Sequence, residues 1–587
     1  MHLRAARLLA EEGAPELDVG ELLLAAPRMG DPWVVEVLSS AAASALESAA
    51  PHDAVRYLGR ALDEPPAKEM RADLALQLGQ VEAVTGAPQA GARLSRVIKH
   101  VGDEVESSES VLAAGRTLFA LGRPRDALGA FEHGLEHAST ASPDLLGRLS
   151  AGRETALWLT DPASRRELPK LPPAATADTP GGRALLALHS FHRALRGEPR
   201  DDVRDLAVRA LGSGALLDDE GADGASYYLA VMALAYAEEL DRADGALVAA
   251  IEDAHSRGSV LGFATASHVR ARVMSLRGRL TDAAREARYA LAVERHGRRL
   301  WLGGARVVLA NICIEQGALQ EAVQYLDAAE RGSGPDDLVG PSLLAARGHV
   351  ELFSGDAEAA FDTLRAAGDA AQSAGIVNPV AAGWRVHAGL ALAEIGDRAG
   401  AERLIEEELS LARSFGAPGP IGRALRALAS IHPPGPALEI LEAAVDVLKQ
   451  SPAELERAHA MADLGGALRR AGRRRAALKV LREALDLAER CGATVLVRGA
   501  LRETQAAGAR PRRAAIHGEA ALTTREFQVA SLAAEGLSNR KIADQLVVTV
   551  KTVEWHLKHV FEKLDVRSRR ELPGRLGLGD AGRYSED

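Results

Sequence analysis

Lys551, Glu554, Trp555 and Lys558 fall on one side of a 15-residue stretch from Val550 to Leu564, with His559 and Lys563 at the margins. A short amphipathic segment and a tight turn precede it. A short helix, a tight turn and a longer helix with a mixed basic, acidic and aromatic outer face describe a helix-turn-helix, whose second helix fits the major groove. A plain helical bundle with a solvated charged face gives the same spacing. The other side chains with chemical potential combine less well. His133 and His137 have the i, i+4 spacing of metal ligands, but HGLEH is not the H-E-x-x-H pattern and no third ligand is apparent, so surface or groove histidines are expected. His189 and His192 are read the same way. No Gly-Lys dipeptide occurs, so there is no P-loop, and no G-x-S-x-G or strand-preceded G-x-G-x-x-G is present. The reading is of a non-enzyme without cofactor or metal.

The elements that position the outer face are legible from caps and stripes. Thr523 and Glu526 have capping-box spacing, which predicts a helix from Thr524. Phe527, Val529, Ala530, Leu532 and Ala533 are its apolar positions, Arg525 and Glu535 its solvent side, and Gly536 its stop. Ser538 caps a second helix through about Gln545, with Ile542 and Leu546 on one face. A turn over Leu546 to Val548 leads to Thr549, the next N-cap. In the third helix Val553, Leu557, Val560 and Leu564 recur at i, i+4, i+7 and i+11, a single buried stripe. Ser568 and Glu571 start a fourth helix at Arg569, which Pro573, Gly574, Gly577 and Gly579 keep short or kinked.

LTTRE, AEGLSNRKIA, KTVEWHLKHVFEKL and VRSR, between Leu522 and Arg569, resemble the LuxR-type helix-turn-helix at nearly every landmark position. The resemblance implies double-stranded DNA and RNA polymerase as partners. It places base-facing positions on Glu554, Trp555 and Lys558, and phosphate approach at Lys551 and Thr552, where free N–H groups favour anions. The full contact set it implies adds Asn539, Arg540, Lys541, Thr549 and His559. Val550 stands where family members carry a small or proline-like residue, and Trp555 where many carry Asn. The family's base preference therefore does not transfer, and Trp555 either meets a thymine methyl or sugar or folds back to pack.

The remaining chain is of another kind. The formal net charge is −10, while Ala521 to Leu572 carries nine Lys/Arg against seven Asp/Glu, so DNA contact is expected at this end alone. Nine of the 71 basic residues are lysines, an Arg and Ala bias that suits a high-GC bacterial genome. Two cysteines, Cys313 and Cys491, both in predicted helices, exclude a disulfide framework and suit a reducing cytoplasm. The longest uncharged apolar run, Ala225 to Ala237, is too short to span a bilayer and reads as one buried helix.

Repeats fill residues 1 to about 505. A turn glycine followed by an Ala-rich amphipathic helix recurs at Gly278, Gly317, Gly355, Gly396, Gly435 and Gly472, spaced 37 to 41 residues apart. Small residues let paired helices approach, and Phe131, Leu326, Phe361, Leu404 and Leu481 are predicted to fill the seams. The pattern resembles tetratricopeptide repeats, with a period longer than their usual ~34 residues. The fold class is all-α: a tetratricopeptide-like α-solenoid, presenting a concave groove to an effector or protein partner, followed by the C-terminal helix-turn-helix.

Two interruptions divide the chain. Leu168 to Gly182 holds four prolines and cannot continue a helix, and Ala506 to Ala520 is a basic linker whose Arg510, Arg512 and Arg513 either touch phosphates or belong to a plain solvated linker. The expected units are an N-terminal helical segment at 1–167, the break at 168–182, the repeat array at 183–505, the linker at 506–520 and the reader at 521–587. This layout resembles the C-terminal part of the large ATP-binding, maltose-activator-type LuxR regulators. The opening MHLRAARLLAEEGAPEL is similar to the segment after their nucleotide-binding core, which implies a chain that begins partway through that plan; ATP-driven switching does not carry over without phosphate-binding residues. The expected protein is a cytoplasmic regulator whose array controls reader exposure or dimerises. The alternative is a repeat scaffold whose terminal helices bind protein.

Overall fold

Alanine-rich segments with one apolar stripe cannot bury that stripe alone, and here each pairs with its neighbour across a tight turn. In the computed structural model the described residues are 1–64, 66–100, 108–137, 142–161, 164–165, 176–292, 302–332, 339–508, 522, 524–534, 536–546, 549–566 and 568–576. Helices are the only regular elements among them.

The repeat unit is a helical hairpin. Val260–Arg277 pairs with Leu280–Ala292, Leu302–Gln316 with Leu319–Gly332, Gly340–Phe353 with Ala357–Ser373, Trp384–Ile395 with Arg398–Phe415, and Glu454–Arg470 with Arg474–Cys491. Gly278, Gly317, Gly355, Gly396 and Gly472 close these first helices with φ between 76° and 102°, a backbone that a side chain resists. Gly435 departs from the expected role: it lies in the first turn of helix Pro434–Leu448. The turn there is made by His432 and Pro433, both extended, because a residue before proline avoids the helical region.

The seams are filled as the residue types suggest. Phe131, Leu326 and Leu481 are fully buried, while Phe361 and Leu404 are half-buried. Opposite the large residue stands a glycine. Cβ atoms built on Gly115, Gly348, Gly389 and Gly465 would lie 2.5 to 2.7 Å from Phe131, Leu364, Ile405 and Leu481, so the helices meet at distances that admit no methyl group. Each full burial of such a side chain is worth roughly 1.5–3 kcal/mol.

Hairpin follows hairpin into a superhelix that touches itself. Glu238, held at φ 60°, accepts hydrogen bonds from the Gly419 N–H at 2.8 Å and the Ser451 hydroxyl at 3.0 Å. The Asn378 amide donates to the Ala194 carbonyl at 2.7 Å, and the Thr494 hydroxyl to the Gln316 carbonyl at 2.9 Å. These bonds join residues 178 to 213 positions apart in the chain. His349 and His387 lie with ring centroids 4.1 Å apart, and burial lowers the His349 pKa to about 4.

The chain packs continuously past the proline-rich stretch. Residues 166–175 lie outside the described set, but helix Pro180–Arg196 starts inside the predicted break. Pro180 occupies the first helical turn, where its missing N–H costs nothing, and the Thr179 hydroxyl caps the Gly182 N–H at 3.1 Å. Trp158 of the preceding helix Pro143–Thr160 shares a core with Leu186, Ala187 and Tyr236. Ala225–Tyr236 is one helix buried on nearly every side, as its uncharged run implies. No helix among the described residues is long and apolar enough to cross a membrane.

Candidate nucleic-acid interface

Helix Thr524–Ala534 opens the C-terminal unit. Val529, Ala530 and Ala533 are buried and Leu532 partly so, and Gly536 ends the helix at φ 89°. Phe527 differs from the expectation: it is 39% exposed, because it projects beside the stripe that faces the other helices. Thr523, Glu535 and the side chain of Arg525 lie outside the described set, as do Arg510, Arg512 and Arg513. Glu526 is buried, and its carboxylate accepts from the Lys563 ammonium, tying the start of the first helix to the end of the third.

Helix Asn539–Leu546 follows, its Lys541 N–H facing the Ser538 hydroxyl at a long 3.4 Å, with Ile542 fully buried. Thr549 caps the next helix by accepting from the Thr552 N–H at 3.2 Å, and the two threonine hydroxyls lie 2.8 Å apart. Helix Val550–Leu564 has the predicted bounds. Val553, Leu557, Val560 and Leu564 are all buried, so the period fixes which side faces out. Asp565 ends it in the left-handed region at φ 50°, a backbone that Asp tolerates better than most residues.

The outward side presents Lys551, Glu554, Trp555 and Lys558, all exposed. Trp555 is 56% exposed and does not fold back into the core. Its ring lies 4.2 Å from that of His559, whose Nδ1 is 2.7 Å from the Trp555 carbonyl, so His559 braces the indole and is half-buried. Arg540 and Lys541 are exposed on the preceding helix. Asn539, Glu554 and Lys558 line one open groove with Phe561, Glu562 and Asp565. Asn539 is only partly available, because its side-chain oxygen accepts from Arg569 at 2.9 Å.

Arg569 holds the unit together. Its guanidinium also donates to the Ala533 carbonyl at 3.1 Å and to the Leu537 carbonyl, bridging the end of the first helix, the turn and the start of the second. Burial lowers its pKa from the ordinary guanidinium value. The spacing arguments gave Arg569 no such role; the VRSR landmark alone marked the position. The fourth element is short, as expected, but for a different local reason. A 3-10 turn at Arg569–Glu571 precedes a four-residue helix Leu572–Arg575, and Pro573 sits in that helix's first turn, where proline is at home. The Ser568 hydroxyl donates to the Glu571 carboxylate at 2.7 Å, leaving the helix without a side-chain cap.

The histidines set aside on spacing lie elsewhere. His133 and His137 stack at 4.3 Å, with His137 Nδ1 on the His133 carbonyl at 2.9 Å. His192 is not a surface or groove histidine: it is buried, its Nε2 3.1 Å from the Arg165 carbonyl, and burial lowers its neighbour His189 to about 4. Among the described residues no group of three His, Cys, Asp or Glu side chains is arranged to hold a metal ion.

The sequence profile of bacterial regulatory proteins of the luxR family matches residues 520–573. The C-terminal domain belongs to the luxR family. This luxR-type domain is a DNA-binding helix-turn-helix of transcription regulators, carried here on helical-hairpin repeats. The oxygen regulatory protein NreC of Staphylococcus haemolyticus is 47% identical over 51 residues, which cover 9% of this chain and 24% of that protein. The transcriptional regulatory protein LiaR of Bacillus subtilis is 42% identical over 50 residues, 8% of this chain and 24% of that protein. The chain thus spans about a quarter of the length of these curated relatives, all within the luxR-type domain. A Cut9 structure, in a hetero-tetramer with Hcn1, superposes on 81% of the chain and 94% of its own at 16% identity and a TM-score of 0.39. A Rap protein in complex with competence and sporulation factor does so over 65% and 99% at 12% identity and a TM-score of 0.36.

Proposed function

We propose that the chain is a transcription regulator whose luxR-type domain reads double-stranded DNA while the helical array receives an effector or a protein partner. The exposed row Lys551, Glu554, Trp555 and Lys558, standing back to back with a fully buried stripe in a luxR-type domain, carries this reading. Glu554, Trp555 and Lys558 meet base edges, with His559 bracing the indole. Lys551, Thr552, Thr549, Arg540 and Lys541 meet phosphates around the N-terminus of the reading helix, whose first amides have no intrahelical acceptor. Asn539 contributes its amide N–H2 only, since its oxygen is taken by Arg569.

The array at 183–505 acts as the receiving unit, with 1–167 packed onto it and 506–520 linking it to the reader. In this reading the protein works in the cytoplasm, dimerises through the array when it dimerises at all, and acts on RNA polymerase at its operators. Selection of genomic fragments by the purified full chain tests it. The expected result is enrichment of a common sequence, with binding that falls steeply as salt rises. A partner interaction that is insensitive to salt, without DNA enrichment, would establish the competing scaffold reading.

A further inference from the structure

A partly enclosed, largely apolar space lies among the helices of the array, remote in sequence from the reader. Seven helices wall it: Ser108–Ala120, Pro143–Thr160, Pro180–Arg196, Ala225–Tyr236, Val260–Arg277, Leu302–Gln316 and Gly340–Phe353. Its volume is about 160 Å³, comparable with apolar cavities of ~150 Å³ that stay dry and take up benzene. Trp158 meets Phe191 edge-on at 5.7 Å, and Phe191 stacks with Tyr236 at 6.1 Å, so three rings form a continuous aromatic wall. Leu229 and Met232 face it from one side of helix Ala225–Tyr236.

Most polar atoms on this wall are spoken for. Tyr228 donates to the Ala222 carbonyl at 2.6 Å, Thr265 to the Leu261 carbonyl at 3.0 Å, and Asp223 accepts from Ser259 at 2.8 Å. Two donors stand out. The Trp158 side chain is 99% buried, yet its indole N–H has no hydrogen-bond partner among the described residues. Leaving such a donor without an acceptor is unfavourable. The Arg272 guanidinium reaches the Val380 carbonyl only at 3.4 Å and the Tyr236 hydroxyl, and forms no ion pair with a carboxylate among the described residues. An aromatic enclosure with a cation and a buried N–H selects a flat molecule that carries an acceptor and a negative charge.

We propose that this cavity binds a small aromatic monocarboxylate of one or two rings, stacked within the Trp158, Phe191 and Tyr236 wall, with Arg272 and the Trp158 indole N–H holding its oxygens. The carboxylate sits at Arg272 and away from Asp223, whose own charge would repel it. Such a ligand lies among seven helices and so ties together hairpins that are otherwise joined in series. That it sets the affinity of the reader for DNA rests on the regulator reading; that it binds does not.

The test uses the full-length chain with 2-naphthoate and its neutral ketone counterpart 2-acetylnaphthalene, followed by calorimetry and by thermal melting. Saturable 2-naphthoate binding and a raised melting temperature are expected. Arg272→Gln should weaken 2-naphthoate about tenfold and leave the ketone unchanged. Leu229→Phe, which fills the cavity, should abolish both while keeping the helical circular dichroism. Trp158→Phe keeps an aromatic ring and removes the N–H, and should weaken both. Absence of binding to the folded wild-type chain at ~1 mM, or equal binding to Leu229→Phe, would overturn the proposal. DNA binding is measured on the same samples. Intact DNA binding without naphthoate binding removes this site and leaves the regulator reading standing; naphthoate binding without any DNA binding does the reverse.

Discussion

Replacing Arg569 by alanine should unfold the reader well before it changes any exposed DNA-facing side chain. The guanidinium donates to the carbonyls of Ala533 and Leu537 and to the Asn539 side chain. Hydrogen bonds to a charged group contribute about 1.5–3 kcal/mol each when buried. Arg569 is half-buried, so water can replace part of what is lost, and roughly 1 kcal/mol per contact is the better figure. Three contacts give about 2–3 kcal/mol, which in a domain of this size lowers the melting temperature by roughly 10–20 °C. The domain's core is drawn from residues between Leu522 and Leu576, so melting of the isolated segment 521–587, followed by circular dichroism, reads this directly. Asn539→Ala removes one contact and should cost about 1 kcal/mol, but almost nothing more on top of Arg569→Ala, because the two share that bond. Arg569→Lys keeps the charge and cannot span three acceptors, so it should resemble alanine more than wild type. A melting temperature for Arg569→Ala within ~2 °C of wild type would refute the view that this side chain holds the helices in register.

Lys558→Ala should relax base preference, whereas Lys551→Ala should weaken binding to all sequences and make the salt slope shallower by about one; equal losses on selected and random DNA for both would contradict the assigned geometry. The segment 521–587 should sediment as a monomer, since the last helix among the described residues has only four residues, and Pro573→Ala should leave it monomeric, because a proline in the first turn does not shorten the helix; a stable dimer of the unmodified segment would count against it. Gly465→Val should cost about 1–3 kcal/mol in the array, because even a Cβ there lies 2.5 Å from Leu481, and an unchanged urea midpoint would show that the seam has slack.

Local signals read well from the sequence, and distant ones did not. The bounds of Val550–Leu564 and its four buried positions follow from one threonine cap and one period. Five of the six turn glycines behave alike because a helix end needs the left-handed backbone wherever it occurs. Gly435 fails because His432 and Pro433, each before a proline, already make the turn, and Pro180 and Pro573 stand where breakers are expected although each opens a helix. Phe527 shows that an apolar residue near a stripe need not belong to it. The Arg569 contacts, the Glu238 link and the Trp158 cavity join residues 30 to 213 positions apart or helices far apart in the chain, and no spacing pattern encodes such meetings.

Gly115, Gly348, Gly389 and Gly465 each precede the bulky partner they meet across the turn, Phe131, Leu364, Ile405 and Leu481, by sixteen positions. A fixed count across the turn means that no residue can be added to it without sliding a bulky side chain off its only vacancy. Each of these four hairpins is thereby a stiff plate. Compliance has to live in the joints that lack such a contact; the joint at Gly368, whose Cβ would lie 2.5 Å from Trp384, is as tight as the hairpins. Bending of the array is then a sum of small rotations at those joints, and a molecule wedged across several plates would lock many of them in a single step.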